Sequence, residues 1–281
     1  DVLIDASSTS KITALTVAGA ASVGIGVDVG VAVSGAGAVS LNDIHSTVEA
    51  SAQDSSFQLR TGADFAVDAA DRSDLEANAA AISIALAAGQ YAAVGVAVGA
   101  SVAVNNIGNS TLAGVEGVDV TSLTGGTLGE VSVTAESDAR IDALSVSAAG
   151  SASIALYAAV AAAGAGAASQ NAITNTTQAL VSDSFFARSG SVTVSAVSDS
   201  AIKAEAAGAS LTVAVAIAAV AVSFGIALAD NQIDNVTLAQ IDDSGFDSEG
   251  TITVEAASIG RIDSLAIGAA LAISGGIGAV S

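Results

Sequence analysis

Along most of this chain, large apolar residues alternate with small or polar ones at a period of two. Val23, Ile25, Val27, Val29, Val31 and Val33 take turns with Gly24, Gly26, Asp28, Gly30, Ala32 and Ser34, which predicts β-strand and not helix. The pattern returns at Val94, Val96 and Val98 and again at Val213, Val215 and Ile217. After Ala218-Ala219 it slips by one residue, and Val220, Val222, Phe224, Ile226 and Leu228 continue. Such a slip is what a bulge or a tight corner does to a strand. The apolar runs exceed ordinary strand length, so each is read as two strands joined by a bend near Gly89-Gln90, Gly150-Ser151, Ala218-Ala219 or Gly275-Gly276. One face of these strands is branched Val, Ile and Leu; the other is Gly, Ala and Ser. The branched face is expected to be the core. The small face is expected to lie flat or to let another layer or another chain pack closely over it.

The pattern is itself repeated. Ile12, Leu75, Ile141, Ile202 and Ile262 each end a polar, strand-like run, at spacings of 63, 66, 61 and 60 residues. Asn42, Asn105, Asn171 and Asn231 follow about thirty residues later in each copy. A fixed period of this kind predicts stacked units. The units are 1–62, 63–129, 130–190 and 191–250, with a partial fifth at 251–281. The expected fold is all-β: a repetitive, elongated β-solenoid or stacked β-array with repeats of about 60–66 residues. A two-layer stack of long antiparallel hairpins is the second choice. In the fourth copy, Ser191–Ser198 reads as a half-buried strand, Ala206–Ala229 as the apolar double strand and Asn231–Ile241 as another alternating strand. Asp242–Gly250 reads as an acidic turn.

Each copy carries Asn-x-Ile-x-Asn-x-Thr: Asn105/Ile107/Asn109/Thr111, Asn171/Ile173/Asn175/Thr177 and Asn231/Ile233/Asn235/Thr237. The first copy reads one residue shorter, Asn42/Ile44/Thr47. Identical asparagines in a stack can hydrogen-bond as a ladder, so Asn42, Asn105, Asn171 and Asn231, with Thr47, Thr111, Thr177 and Thr237, are assigned to a structural ladder. The glycosylation sequons at Asn109, Asn175 and Asn235 fall out of the same motif and are taken as coincidental. This Gly/Ala/Val-rich run, followed by Asn-x-Ile-x-Asn-x-Thr-x-Ala and Gly-x-Val-x-Val-x-Ala, resembles the repeats of giant bacterial surface proteins, the filamentous haemagglutinin-like and leukotoxin-type adhesins. The resemblance spans the chain and implies a secreted, elongated, β-rich, non-enzymatic protein at a bacterial cell surface, with no catalytic residues carried over.

Composition narrows the functions. Seven Lys+Arg face 28 Asp+Glu, for a net charge of −21, which repels nucleic acid and anionic membrane surfaces. There is no Cys, so neither disulfides nor thiolate metal sites can form. The chain opens at Asp1 without Met or a signal segment, and the fifth copy stops inside its apolar run; a processed product or an excerpt, associating end to end or continuing in a longer parent, is expected. Ala79–Val104, Ala143–Gln170 and Ala206–Ala229 are uncharged and long enough to cross a bilayer as helices. They lack Lys/Arg flanks and Trp/Tyr belts in sequence, so no membrane span is expected. The lone His45 is expected to be an ordinary exposed side chain. Carboxylates crowd at Asp242, Asp243, Asp247 and Glu249, and at Asp68, Asp71 and Asp74. Neither group has EF-hand spacing, so calcium is a weak candidate cofactor and no other cofactor is expected. The functional expectation is an extracellular fibre, stalk or matrix filament serving adhesion, biofilm or a sheath, whose main partner is itself and whose adhesion target is open. The alternative is a module that binds glycan, mineral or ice through an exposed threonine rank.

Overall fold

A computed structural model describes residues 1–281. It is all strand. The first coil comprises β1 (Val2–Gly26), β2 (Val29–Ile44), β3 (Thr47–Gln53) and β4 (Ser56–Leu59). The second has β5 (Phe65–Gly89), β6 (Ala92–Ile107), β7 (Ser110–Glu116) and β8 (Asp119–Ser122). The third has β9 (Val131–Ala155), β10 (Ala158–Ile173), β11 (Thr176–Ser182) and β12 (Phe185–Ser189). The fourth has β13 (Val192–Val215), β14 (Ala218–Ile233), β15 (Val236–Asp242) and β16 (Gly245–Ser248). β17 (Ile252–Gly275) and β18 (Gly278–Val280) begin a fifth. No helix is long and apolar enough to cross a membrane.

Equivalent strands of successive coils pair in parallel, giving four sheets: β1-β5-β9-β13-β17, β18-β14-β10-β6-β2, β15-β11-β7-β3 and β16-β12-β8-β4. The chain is therefore a parallel solenoid, not a stack of antiparallel hairpins. The markers found in the sequence are rows of this register: Ile12 pairs with Leu75, Leu75 with Ile141, Ile141 with Ile202 and Ile202 with Ile262. Asn42, Asn105, Asn171 and Asn231 form another row. The polar run and the first half of the apolar run make one strand of 25 residues in the first three coils, about 80 Å long at ~3.3 Å per residue. The second sheet runs back over it, so each coil is a long, flat loop.

The interior changes along that length. At the end where the chain enters each coil, three sheets close around Phe65, Phe186, Val67, Val120, Val133 and Val194, all at most 1% exposed. Phe57, Phe65, Phe186 and Phe246 run through this end as a column, with ring centroids 5.3, 5.7 and 5.0 Å apart. In the middle, the marker residues Leu75, Ile141 and Ile202 meet Ile44, Ile107 and Ile173 of the returning sheet. That contact is why the first marker recurs together with the isoleucine of the Asn-x-Ile motif. Beyond it the two sheets close onto small residues: alanines Ala32, Ala85, Ala97, Ala149, Ala163 and Ala165, then Ala159, Ala161, Ala214 and Ala219, with serines such as Ser83, Ser145 and Ser153 among them.

In this thin half the expected facing is reversed. The Gly, Ala and Ser face is the interior, and the branched residues point outward. The cause is the corner between the two sheets, which has only two residues outside the strands in every coil, such as Val27-Asp28, Gln90-Tyr91 and Ala216-Ile217. So short a link holds the backbones nearly in contact. A Cβ on Gly24 would fall on the carbonyl oxygen of Val31, and one on Gly225 on that of Ala269. No Val, Ile or Leu side chain fits between; the bulkiest inward residues of this half are Thr16 and Thr212. The corners also correct the predicted bends. Gly89-Gln90 and Gly275-Gly276 lie at corners, and Ala218-Ala219 falls just past its corner. Gly150-Ser151 lies inside β9, whose corner is Leu156-Tyr157; Gly150 points outward into open space, which explains the glycine without a bend.

Candidate functional site

Three features concentrate the chemistry of the coil: asparagine rows inside, acidic corners at the thick end, and a charged collar beside an apolar outer surface.

The first asparagine row is a chain of amides along the stacking axis. Asn42 Nδ2 donates to Asn105 Oδ1 at 2.8 Å, Asn105 to Asn171 at 2.7 Å, and Asn171 to Asn231 at 2.7 Å. Asn105 and Asn171 are each 1% exposed, so each bond satisfies groups that burial would otherwise leave costly. A second row lies four residues on, at the corner between the second and third sheets. There the side-chain carbonyls of Asn109, Asn175 and Asn235 accept the backbone N–H of Ser46, Asn109 and Asn175, each at 3.0 Å. The side chain thus stands in for a backbone carbonyl where the ladder breaks. Across the interior, Asn109 Nδ2 reaches Asp71 Oδ2 at 2.6 Å and Ser73 Oγ at 2.8 Å, and Asn235 Nδ2 reaches Ser198 and Ser200. Asn175 faces Ser137 and Ala139 at the equivalent positions, and its Nδ2 has no partner. Buried Asn109 and Asn175 offer no glycan acceptor on the folded surface.

The threonines behave differently. Thr111, Thr177 and Thr237 stack in one row with their hydroxyls enclosed and without hydrogen-bond partners. The residue that completes their row in the first coil is Val48; Thr47 pairs with Ser110 and is exposed. The first copy is therefore not one residue shorter. Ser46 takes the place of the corner asparagine, and Thr47 leaves the ladder. Because the rank faces inward, it offers no surface for ice, mineral or glycan.

The acidic turns have a backbone explanation. Asp54, Gly117, Asp183 and Asp243 occupy the same corner before the fourth sheet, at φ of 45°, 62°, 49° and 42°. This left-handed region favours Gly, Asn and Asp. Of the calcium candidates, Asp242 ends β15, Asp243 is that corner residue, and Asp247 lies in β16, so the acidic turn contains a strand. Glu249 is exposed and accepts from Arg188 Nη2 at 3.4 Å. These carboxylates do not gather into a group able to hold a metal. The other trio is divided by the pleat: Asp71 points inward at 1% exposure, and Asp68 and Asp74 point outward. His45 is exposed, with Nδ1 2.9 Å from Asp43 Oδ1.

The third feature was hidden in the sequence. Lys11, Arg72, Arg140, Lys203 and Arg261, all but Arg60 and Arg188 of the chain's cations, sit on three adjacent outward rows of the long-strand sheet. Acids alternate with them: Lys11 Nζ is 2.8 Å from Asp74, Lys203 Nζ 3.0 Å from Glu205 and Arg261 Nη2 2.7 Å from Asp263. The hydrogen bond it donates to Asp74, then the charge of that carboxylate, raises the Lys11 ammonium above the ordinary 10.5. The bond to Glu205, then the charge of Asp142, does the same for Lys203. One row farther on, past Asn78 and Glu205 on this sheet and Gln170 and Asp230 on the returning one, the outer surface becomes apolar on both sheets. The signal available in sequence was the register: cations scattered at unequal intervals become neighbours once the rows align.

The chain matches no family model, no curated protein and no solved structure.

Proposed function

We propose that this chain is a structural, non-catalytic unit of an extracellular filament, stalk or matrix at a bacterial cell surface, built by continued stacking of the same coil. One observation carries the reading: parallel stacking coil on coil in all four sheets, with whole rows in unbroken register in the three larger ones. Such a stack draws its stability from neighbour-to-neighbour burial. The outermost long strands β1 and β17 present the rows with which every interior coil already pairs, and an open strand edge is a template for another chain. The asparagine rows favour in-register addition, because a one-row slip leaves buried amides unpaired. The resemblance of the repeat motif to giant surface adhesins points the same way.

Electron microscopy of the purified protein, with a power spectrum of any filaments, tests the reading. Uniform filaments with a layer line near ~4.8 Å along the filament axis are expected. A monodisperse monomer at micromolar concentration, with no filaments, overturns it.

A further inference from the structure

The outward residues of the thin half carry no polar side chain on either sheet. On the long-strand sheet this holds from the row of Val17, Ala80, Val146, Ala207 and Ile267 to the row of Ile25, Ala88, Ile154, Val215 and Gly275. On the returning sheet it holds from the row of Val29, Ala92, Ala158, Ala218 and Gly278 to that of Val39, Val102, Ala168 and Leu228. The surface is open: Val33 is 65% exposed, Val98 51% and Phe224 60%. Patches this large on a protein surface mark an interaction site.

Four features of this surface identify what covers it. It is two-sided. Its lower limit lies at nearly the same height on both faces: the hydrogen bond between Ser101 and Ser145, 2.8 Å long, crosses the interior beside that limit. Its depth, Val29 to Val39 at ~3.3 Å per residue, is about 33 Å, close to the ~30 Å hydrocarbon core of a bilayer. It is also framed. The mixed collar of Lys11, Arg72, Arg140, Lys203 and Arg261 with their acids lies on one side. At the far tip Tyr91 and Tyr157 stack in parallel, 5.5 Å apart and about half exposed. A second copy would cover one face and leave the other bare. A hydrocarbon layer covers both at once, with the amphipathic tyrosines at an interface and the near-neutral collar level with zwitterionic headgroups.

We propose that the thin half of the solenoid inserts edge-on into a zwitterionic lipid bilayer, leaving the thick end in water. The expectation of no membrane span applies to the apolar runs as helices, and these runs are strands. Lipid tolerates a backbone only where its polar groups are already paired, and coil-to-coil hydrogen bonding meets that condition throughout the interior of the stack. At the outer strands the proposal rests on the filament reading, since further coils are what pair those edges.

Flotation with phosphatidylcholine vesicles, combined with tyrosine fluorescence, is the test. The chain has two Tyr and no Trp, so its emission reports the tip alone. The wild type is expected to float, with emission quenched by lipids brominated on their acyl chains and shielded from iodide. Ile84→Lys and Val222→Lys place a charge within the apolar surface and are expected to lower vesicle partitioning at least ~30-fold. Ser195→Lys, outward at the thick end, leaves it unchanged. Circular dichroism of each variant verifies that the strands persist. A wild type that sediments past the vesicles with iodide-accessible tyrosines overturns the proposal, as does equal flotation of all variants. Filaments that do not float overturn insertion alone. Floating particles without filaments overturn the filament reading alone.

Discussion

Each long strand is built on opposite rules in its two halves. Between Val2 and Ile12, branched Val2, Ile4 and Ile12 face inward, and Asp5, Ser7, Thr9 and Lys11 face outward. Between Ala14 and Gly26, the inward positions are Ala14, Thr16, Ala18, Ala20, Ser22, Gly24 and Gly26, and the outward ones include Leu15, Val17, Val23 and Ile25. The sheet, register and hydrogen bonding are the same throughout. What differs is the space enclosed. At the thick end three sheets surround a volume that only large side chains fill. In the plate a two-residue corner leaves room for little more than a methyl group. Interior size, not hydrophobicity, decides which face of a strand turns inward here, and the displaced branched residues need a different partner.

The two halves should answer mutation in opposite ways. The largest effect is expected at the thick end, where Phe186 is fully buried between Phe65 and Phe246. Phe186→Ala leaves a cavity that rigid neighbouring coils cannot close, and should cost about 3–5 kcal/mol in chemical denaturation. In the plate the sensitive direction is the reverse, because adding volume does the damage. Gly225→Ala drives a methyl onto the backbone of Ala269 and should destabilise by about 1–3 kcal/mol. Gly164→Ala is the same substitution on the outer face, where a Cβ meets open space. There it should stabilise by up to about 1 kcal/mol, since a strand gains from losing a glycine. Equal effects at Gly225 and Gly164 would mean that the plate is not as thin as described.

The repeat, the strand content and the rows of Ile12 and Asn42 were legible in the sequence because in-register stacking preserves residue identity at a fixed spacing. The direction of the strands was not, since a parallel coil and an antiparallel hairpin share the same alternation. Facing was not legible either. Period two separates two faces without naming the inner one, and the usual rule that branched residues go inside fails once the enclosed space is too small for them. Thr47 was misplaced because the corner between Ile44 and Thr47 carries Ser46 where later coils carry Asn109, Asn175 and Asn235. A motif anchored on threonine slid by one residue, and only backbone pairing corrects it. Asp243 looked like a ligand because a demand for positive φ leaves no mark in composition beyond the residue type. The collar of cations needed the register before its members became neighbours.

A smaller effect probes the middle of the coil, where the two regimes meet. Asn109 and Asn235 each cross the interior to a pair of polar oxygens, but Asn175 meets Ser137 and Ala139 and leaves its Nδ2 unpaired. Ala139→Ser restores the oxygen that Ser73 and Ser200 supply in the adjacent coils. It should gain about 1 kcal/mol, the net contribution of one hydrogen bond. The expected shift is a higher midpoint at unchanged m, since the surface exposed on unfolding stays the same.

The smallest effect on folding is expected where the inverted face is most open. Val98→Thr keeps the β-branched shape at a position 51% exposed. If the outer rows of the plate contribute no core, stability in water should move by no more than about 0.5 kcal/mol. The same hydroxyl should nonetheless weaken partitioning into phosphatidylcholine vesicles, because a polar group entering hydrocarbon loses its water. Folding and lipid affinity would then be set by different faces of the same strand: alanine inside for the one, valine outside for the other. A Val98→Thr protein that unfolds early in plain buffer would place Val98 in a core after all. That result would restore the ordinary facing of the strand and remove the reason for seeking a lipid partner.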